Sequence, residues 1–398
     1  MSTPLIDLQF ENEKVLMRVD FNVPLNAAFE ITDDSRMRAA VPSIQHILNT
    51  GGSVIIMSHL GRPKNGPNDE FSLRHIVQHL SDLLHVPVDF ASDCIGEEAI
   101  GKAGELKSGS VLVLENLRFY PEETAGDIEF ASKLAALGTF YVNDAFGTAH
   151  RAHASTSVIA QFFPGKKSFG MLMAAEIINA EKVMKSPQRP LTAIVGGAKV
   201  SDKILIVENL LNVADNIIIG GGMAYTFFKA QGGHIGSSLC EMDRLETCLE
   251  IMQKAKEKGV KIYLPADSIM ADAFKSDANT QNVSSNEITE NWMGLDIGNA
   301  AVLEFREVLL NSKTILWNGP MGVFEMPAFE NGTKLVAQAV ADATAAGAFS
   351  LIGGGDSAAA VYKFGFDQQV TYISTGGGAL LEYFEGKVLP GIAAINQA

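Results

Sequence analysis

Short apolar runs alternate with longer stretches of helical periodicity along the whole sequence, and that alternation leaves few architectures open. The apolar runs fall at 15–19, 54–57, 111–114 and 140–142, then at 193–195, 217–219, 261–264, 315–317, 349–352 and 370–373. Each has the length of a buried strand. Helical patterns separate most of them, at 72–84, 127–137, 202–212, 244–258 and 332–346. A strand that rejoins its sheet after a helical crossover runs parallel to its predecessor, so the sheets are expected to be largely parallel and covered on both faces. The expected fold class is α/β: two doubly wound parallel-sheet, Rossmann-like domains joined by a hinge.

Two domains rather than one follow from length, since 398 residues exceed a single core of ordinary size. The boundary is placed between 183 and 184, where a helical pattern runs into Lys185-Ser186-Pro187-Gln188-Arg189-Pro190. Prolines at that spacing stop a helix. Apolar residues make up 47% of the chain and charged residues 19%, enough to build cores and too apolar for disorder.

A net charge of −15 argues against a general nucleic-acid binder, which needs a surplus of Lys and Arg. An anion must then be held locally, and seven of the ten arginines (18, 36, 38, 62, 74, 118 and 151) lie in the first 151 residues. No apolar run approaches a membrane span, and no basic stretch followed by an apolar core opens the chain, so the cytoplasm is expected. Cys94, Cys240 and Cys248 show no CxxC spacing, which fits a reducing compartment.

Open parallel sheets bind ligands at the carboxyl ends of their strands. In the first half those ends carry polar and charged residues: Asp20-Phe21-Asn22, Ser58-His59-Leu60-Gly61-Arg62, Glu115-Asn116-Leu117-Arg118 and the stretch from Asn143. In the second half they carry glycines: Gly196-Gly197, Gly220-Gly221-Gly222, Gly353-Gly354-Gly355 and Gly376-Gly377-Gly378. Each half is expected to carry its own site.

Guanidinium forks pair bidentately with phosphate and carboxylate, so Arg36, Arg62, Arg118 and Arg151, with His59 and His150 or His153, suit a small multiply charged anion. Asp20 and Asn22 could bond its hydroxyls, or simply shape a turn. Glycine backbone can approach an anion closely and offer amides to it. Gly353-Gly354-Gly355-Asp356-Ser357 suggests a phosphate at a helix start, with Asp356 holding a magnesium ion or only capping the helix. Lys199 and Lys203, four apart, would share a helical face and reach a polyphosphate together. Neither a GxxxxGK[ST] loop nor a GxGxxG after the first strand is present.

Seven segments, RVDFNVP (18–24), SHLGRP (58–63), ENLRF (115–119), NDAFGTAHRAH (143–153), GGAKVSDK (196–203), WNGPMGVFE (317–325) and GGGDS (353–357), resemble the signature segments of the phosphoglycerate kinase family, in that family's order. The resemblance runs over nearly the whole chain. It implies reversible, magnesium-dependent phosphoryl transfer between ATP and 3-phosphoglycerate, giving ADP and 1,3-bisphosphoglycerate.

Residue by residue, the resemblance assigns Asp20, Phe21, Asn22, Arg36, His59, Leu60, Gly61, Arg62, Arg118 and Arg151 to phosphoglycerate, in an N-terminal domain of residues 1–183. It assigns Lys199, Lys203, Gly220, Gly221, Gly294, Leu295, Asn318, Glu325, Gly354, Gly355, Asp356 and Ser357 to the nucleotide, in a domain of 184–383. Arg36 and Lys203 are the expected catalytic residues, and Asp356 the metal ligand. Ser357 stands where many members have threonine. The resemblance further implies a tail, 384–398, packing back on the first domain, a monomer, and closure about the hinge. Two other readings stay open: a different nucleotide-dependent α/β enzyme, and an inactive homologue kept for binding.

Overall fold

The computed structural model describes residues 3–64 and 66–397. Met1, Ser2, Asn65 and Ala398, which include both outer ends of the expected first domain and its tail, lie outside the described residues. The chain forms two compact units, one of Met1–Ile178 with Val388–Ala398 and one of Asn179–Lys387.

The first unit is built on a six-stranded sheet, all of its pairings parallel, in the order Val88–Ala91, Val111–Leu114, Ser53–Met57, Lys14–Arg18, Phe140–Asn143, Lys167–Phe169. Its central strands are buried on both faces because their residues alternate between two cores. Val15, Met17, Val54, Ile56 and Val142 pack with Met37, Ile44 and Ile47 of the helix Ser35–Asn49. Leu16, Ile55, Met57, Leu112 and Tyr141 pack on the opposite face with Phe130 and Leu134. Ile395, from the helix Pro390–Asn396, joins that second core.

The second unit repeats the plan, with a six-stranded parallel sheet in the order Lys261–Tyr263, Asn216–Ile219, Leu191–Val195, Thr314–Asn318, Phe349–Gly353, Tyr372–Ile373. Ile194, Ile315, Trp317 and Ile352 form its core with Phe305, Leu309, Val336 and Val340. In both sheets the chain reverses its direction of winding beside a central strand, Lys14–Arg18 in one and Leu191–Val195 in the other. Such a switch point opens a crevice at the strands' carboxyl ends.

The alternation of strand and helix predicts both sheets, and the structure departs from it locally. Asp267–Ala271 pairs antiparallel with Thr280–Ser284 and Met293–Ile297, a small sheet with no counterpart in the sequence expectation. The helix expected over 72–84 is a 3₁₀ turn, Leu73–Ile76, leading into Val77–Leu84. The helix expected from 202 begins at Ile204. All three cysteines are free. Among the described residues no helix is long and apolar enough to cross a membrane.

Candidate active site

In the first unit four strand ends deliver one connected polar cluster. After Lys14–Arg18 the chain turns through Asp20 and Asn22, and the turn is tied to the neighbouring strand end. Phe21 N donates to Ser58 Oγ at 2.8 Å, and Gly61 N donates to Asn22 Oδ1 at 2.8 Å. Arg36, near the start of its helix, reaches back with Nη1 to Asp20 Oδ2 at 3.2 Å and to Asn22 O at 3.0 Å. Arg118 Nη1 donates to Gly61 O at 2.9 Å. Buried Asn116 holds the same loop by donating to Leu60 O at 2.7 Å and Phe71 O at 2.8 Å. Arg62, Arg118 and Arg151 line one cavity of about 490 Å³ with Lys64.

Phe21 and Leu60 send their side chains into the hydrophobic core, so any contact with a ligand is left to their backbone. His150 lies beside Arg151, whose Nε is 3.2 Å from its Nε2. His153 is buried.

Beneath the cluster lies Arg18, fully buried at the end of its strand and given no role by the sequence reading. Its Nε donates to Ser155 Oγ at 2.9 Å, and that hydroxyl donates to Glu123 Oε1 at 2.6 Å. Ser155 N donates to Glu123 Oε2 at 2.9 Å. Arg18 Nη2 lies 3.2 Å from His59 Nδ1. A guanidinium can only donate, so Nδ1 accepts and the neutral ring carries its proton on Nε2. An arginine inside the apolar run 15–19 was the available signal; Glu123 and Ser155 carry none.

The cluster holds more positive charge than it neutralises. Arg118 is brought down to about 10 by burial, then by the charges of Arg18 and Arg151. Burial, followed by the charges of Arg18, Arg118 and Arg36, holds His59 well below its usual range. His153 falls to about 4 through burial first, then the charges of Arg18, Arg118 and Arg151. Its Nδ1 is 3.9 Å from Glu123 Oε1, beyond a hydrogen bond, and Ser155 already occupies that carboxylate. Like charges gathered at a strand-end crevice are stabilised by a bound anion.

The second unit presents mostly backbone. Gly319 has φ +101°, and a Cβ there would stand 2.1 Å from Gly196 O, so the turns following two adjacent strands interlock only as glycine. Gly354, at φ +90°, starts the helix Gly355–Lys363, and a Cβ on it would come 2.7 Å from Asn318 Nδ2. Asn318 Nδ2 donates to Gly353 O at 2.8 Å, while its Oδ1 accepts from Lys203 Nζ at 2.5 Å. Ser357 is buried, and its Oγ accepts from Gly319 N at 2.6 Å. Lys203, Asn318, Gly354, Gly355, Asp356 and Ser357 thus belong to one strand-end cluster. Burial lowers Lys203, against the opposing charges of Asp202, Asp356 and Glu385.

Beside this cluster lies a cavity of about 520 Å³, lined by Gly221, Tyr225, Gly294, Leu295, Glu325 and Asp356 among others. Gly220 is not part of its lining but packs on Met321, which is: a Cβ on Gly220 would meet Met321 Sδ at 2.4 Å. The antiparallel sheet supplies Gly294 and Leu295. Asp296 also lines it, with Oδ2 accepting from Gly332 N at 2.7 Å and Oδ1 from Ile297 N at 2.9 Å; burial raises it to about 7.

One expectation is corrected here. Lys199 and Lys203 do not share a helical face, because residues 197–203 form turns and Lys203 N donates to Val200 O at 2.8 Å. Lys199 is exposed, with its charge near Glu241. Glycines and polar residues at the start of that stretch favour turns over a helix.

Among the described residues no three His, Cys, Asp or Glu gather in a way that could hold a metal. Asp356 offers a single exposed carboxylate in the first turn of its helix. That fits a magnesium ion arriving with a nucleotide, since magnesium keeps water and phosphate oxygens as most of its ligands.

The phosphoglycerate kinase family model matches residues 5–387. A phosphoglycerate kinase of Porphyromonas gingivalis is 55% identical, covering 97% of this chain and 98% of its own length. That of Chloroherpeton thalassium is 54% identical, covering 98% of each. Among solved structures, phosphoglycerate kinase from Coxiella burnetii superposes with a TM-score of 0.93 at 40% identity, over 100% of this chain and 99% of that one. The Pyrococcus horikoshii structure of the same enzyme gives 0.82 at 33% identity, over 99% and 98%.

Proposed function

The chain belongs to the phosphoglycerate kinase family, and from that premise we propose that its first unit holds 3-phosphoglycerate and its second the nucleotide. The enzyme is a phosphotransferase with a carboxyl acceptor, moving a phosphoryl group reversibly between ATP and 3-phosphoglycerate in glycolysis. The observation that carries the assignment of ligands to units is the excess of guanidinium charge in the first: Arg62, Arg118 and Arg151 line one cavity, and Arg118 is brought down by burial and then by the charges of Arg18 and Arg151. A small acid with a phosphate supplies the missing negative charge.

In the kinase direction the nucleophile is the acid's carboxylate, whose ordinary pKa of about 4 leaves it ionised near neutrality, so no general base is required. Catalysis then rests on alignment and on neutralising charge while the phosphoryl group passes between oxygens. Arg62, Arg118 and Arg151 bind the substrate's phosphate end. Asp20, Asn22 and the Nε2–H of His59 bond its carboxylate and hydroxyl end. Arg36, already directed to Asp20 Oδ2, meets the migrating group from one side and Lys203 from the other. Gly354, Gly355 and Ser357 offer backbone and hydroxyl groups to the nucleotide phosphates, while Gly220, Gly221, Gly294 and Leu295 enclose its adenosine, with Asn318, Glu325 and Lys199 at the phosphate side. Asp356 would hold the magnesium ion, which when bound offsets phosphate charge.

Donor and acceptor oxygens must come into line, so units that each hold one substrate must close when both are bound. Small-angle scattering should show a smaller radius with both substrates than with either, and an unchanged radius would count against closure. We place the enzyme in the cytoplasm as a monomer serving small molecules, with neither nucleic acid nor membrane as partner. A coupled assay with MgATP and 3-phosphoglycerate tests the reading as a whole. Turnover requiring both is expected; nicotinamide-dependent turnover, or none, would overturn it.

A further inference from the structure

The turn 197–203 is the least supported part of the second site. It has no regular structure, and Ala198, Lys199, Ser201 and Asp202 are exposed. It is held at three places. At its start Gly197 O accepts from Met223 N at 3.0 Å, and at its end Lys203 Nζ donates to Asn318. Its middle is held by the buried side chain of Val200 and by one polar side chain from elsewhere in the chain, Glu241. Ser201 N donates to Glu241 Oε2 at 3.0 Å and Ser201 Oγ to Oε1 at 2.6 Å.

Glu241 is itself fixed. Its N–H donates to Thr226 Oγ1 at 3.2 Å, and its carbonyl accepts from Arg244 N at 2.9 Å at the entry to the helix Leu245–Lys258. The residue does not line the 520 Å³ cavity. Its carboxylate also faces Lys199. A carboxylate accepting hydrogen bonds from one turn fixes that turn's pitch, and so the reach of the two lysines it carries.

We propose that Glu241 is a positioning residue for the nucleotide's phosphates, acting through Ser201 on the turn that presents Lys199 and Lys203. This rests on the reading that those lysines meet the phosphates. A plain structural staple would support stability without preference for either substrate; a positioning residue alters one Michaelis constant and spares the other.

Steady-state kinetics on the full chain separates these. Loss of two charge-assisted hydrogen bonds predicts that Glu241→Ala raises KM for MgATP by about tenfold. KM for 3-phosphoglycerate and Tm should stay close to the parent's. Ser201→Ala should give a smaller rise in the same constant, and the double variant should be no worse than Glu241→Ala, since the hydroxyl bond that Ser201→Ala removes is one of the two that Glu241→Ala removes. Glu241→Gln, which keeps an acceptor for Ser201 N–H, should recover part of the loss. An unchanged KM for MgATP in Glu241→Ala, equal rises for both substrates, or strict additivity with Ser201→Ala would overturn the proposal; if Glu241→Ala fails to fold, Ser201→Ala decides it alone. Lys199→Ala and Lys203→Ala belong in the same series. If they raise KM for MgATP while the Glu241 and Ser201 variants do not, only this inference falls. If they leave it unchanged, the assignment of the turn to the phosphates falls with it.

Discussion

Both units are six-stranded parallel sheets with a switch-point crevice, though their strand orders differ, and they furnish that crevice with opposite materials. The first unit fills its strand ends with ionised side chains, and burial, with the charges of Arg18 and Arg151 added to it, brings Arg118 down to about 10. The second uses glycine backbone, a neutral amide in Asn318 and an enclosed cavity. A small acid with dispersed charge offers little surface, so its recognition depends on fixed charge. A nucleotide offers a large base, which a shaped cavity can hold, and phosphates that backbone amides can approach. Self-repulsion is the cost in one unit, and the chain entropy of glycine-rich turns the cost in the other.

If this division of labour is right, the largest single effect belongs to a charge. Arg36→Ala should lower kcat by about 10²- to 10³-fold, the range for removing a transition-state cation, while Tm moves by only a few degrees. Arg36 is partly exposed, and without it Asn22 remains tied to Gly61 and the adjoining Phe21 to Ser58, so the fold does not depend on it. An Arg36→Ala protein that has lost its circular-dichroism signal would break the comparison by making the residue structural.

The second unit should answer to a methyl group instead. Gly354→Ala places a Cβ at φ +90° and 2.7 Å from Asn318 Nδ2, which disturbs the amide that holds Lys203. Strain of this kind predicts a rise of about tenfold in KM for MgATP. KM for 3-phosphoglycerate should not change. A rise in both, measured by varying each substrate at saturation of the other, would mean that the two sites are not separately furnished.

What was legible follows the same division. The strands Ser53–Met57, Leu191–Val195 and Thr314–Asn318 are buried throughout, so uninterrupted apolar runs announced them and the parallel sheets with them. Residues just past those runs are the ones that folding gathers into the candidate sites. The small antiparallel sheet was silent because Thr280–Ser284 is polar and almost wholly exposed, leaving no alternation to read. The helix Ser35–Asn49 was obscured by Pro42 in its interior. Arg18, Glu123 and Ser155 are joined only by folding, across 137 and 32 residues. Glu241 and Ser201, 40 apart, are likewise invisible in sequence, and four-residue spacing was misleading for Lys199 and Lys203 because no helix forms there.

The smallest expected effect sharpens the contrast through pH. His153, buried among arginines, has its folded pKa lowered to about 4, while the unfolded chain titrates near 6.5. Between those values the unfolded state binds a proton that the folded state refuses, so stability is lost as pH falls. Asp296 in the second unit has the opposite sign. Its folded pKa is raised to about 7 from 3.8, so the folded state holds the extra proton, and stability is lost as pH rises through that window. Asp144 in the first unit, raised to about 6 by burial, shares the sign of Asp296, so the parent's own melting profile mixes the two. Single variants separate them. Measured by thermal melts, the Tm of His153→Gln relative to the parent should rise as pH drops from about 7 to 5, by a few degrees, because the variant has no proton to refuse. Asp296→Asn relative to the parent should instead gain as pH climbs from about 5 to 8. Parallel profiles for the parent and His153→Gln would show that burial and the neighbouring arginines do not hold the ring neutral, and the excess of charge inferred for the first site would lose one of its supports.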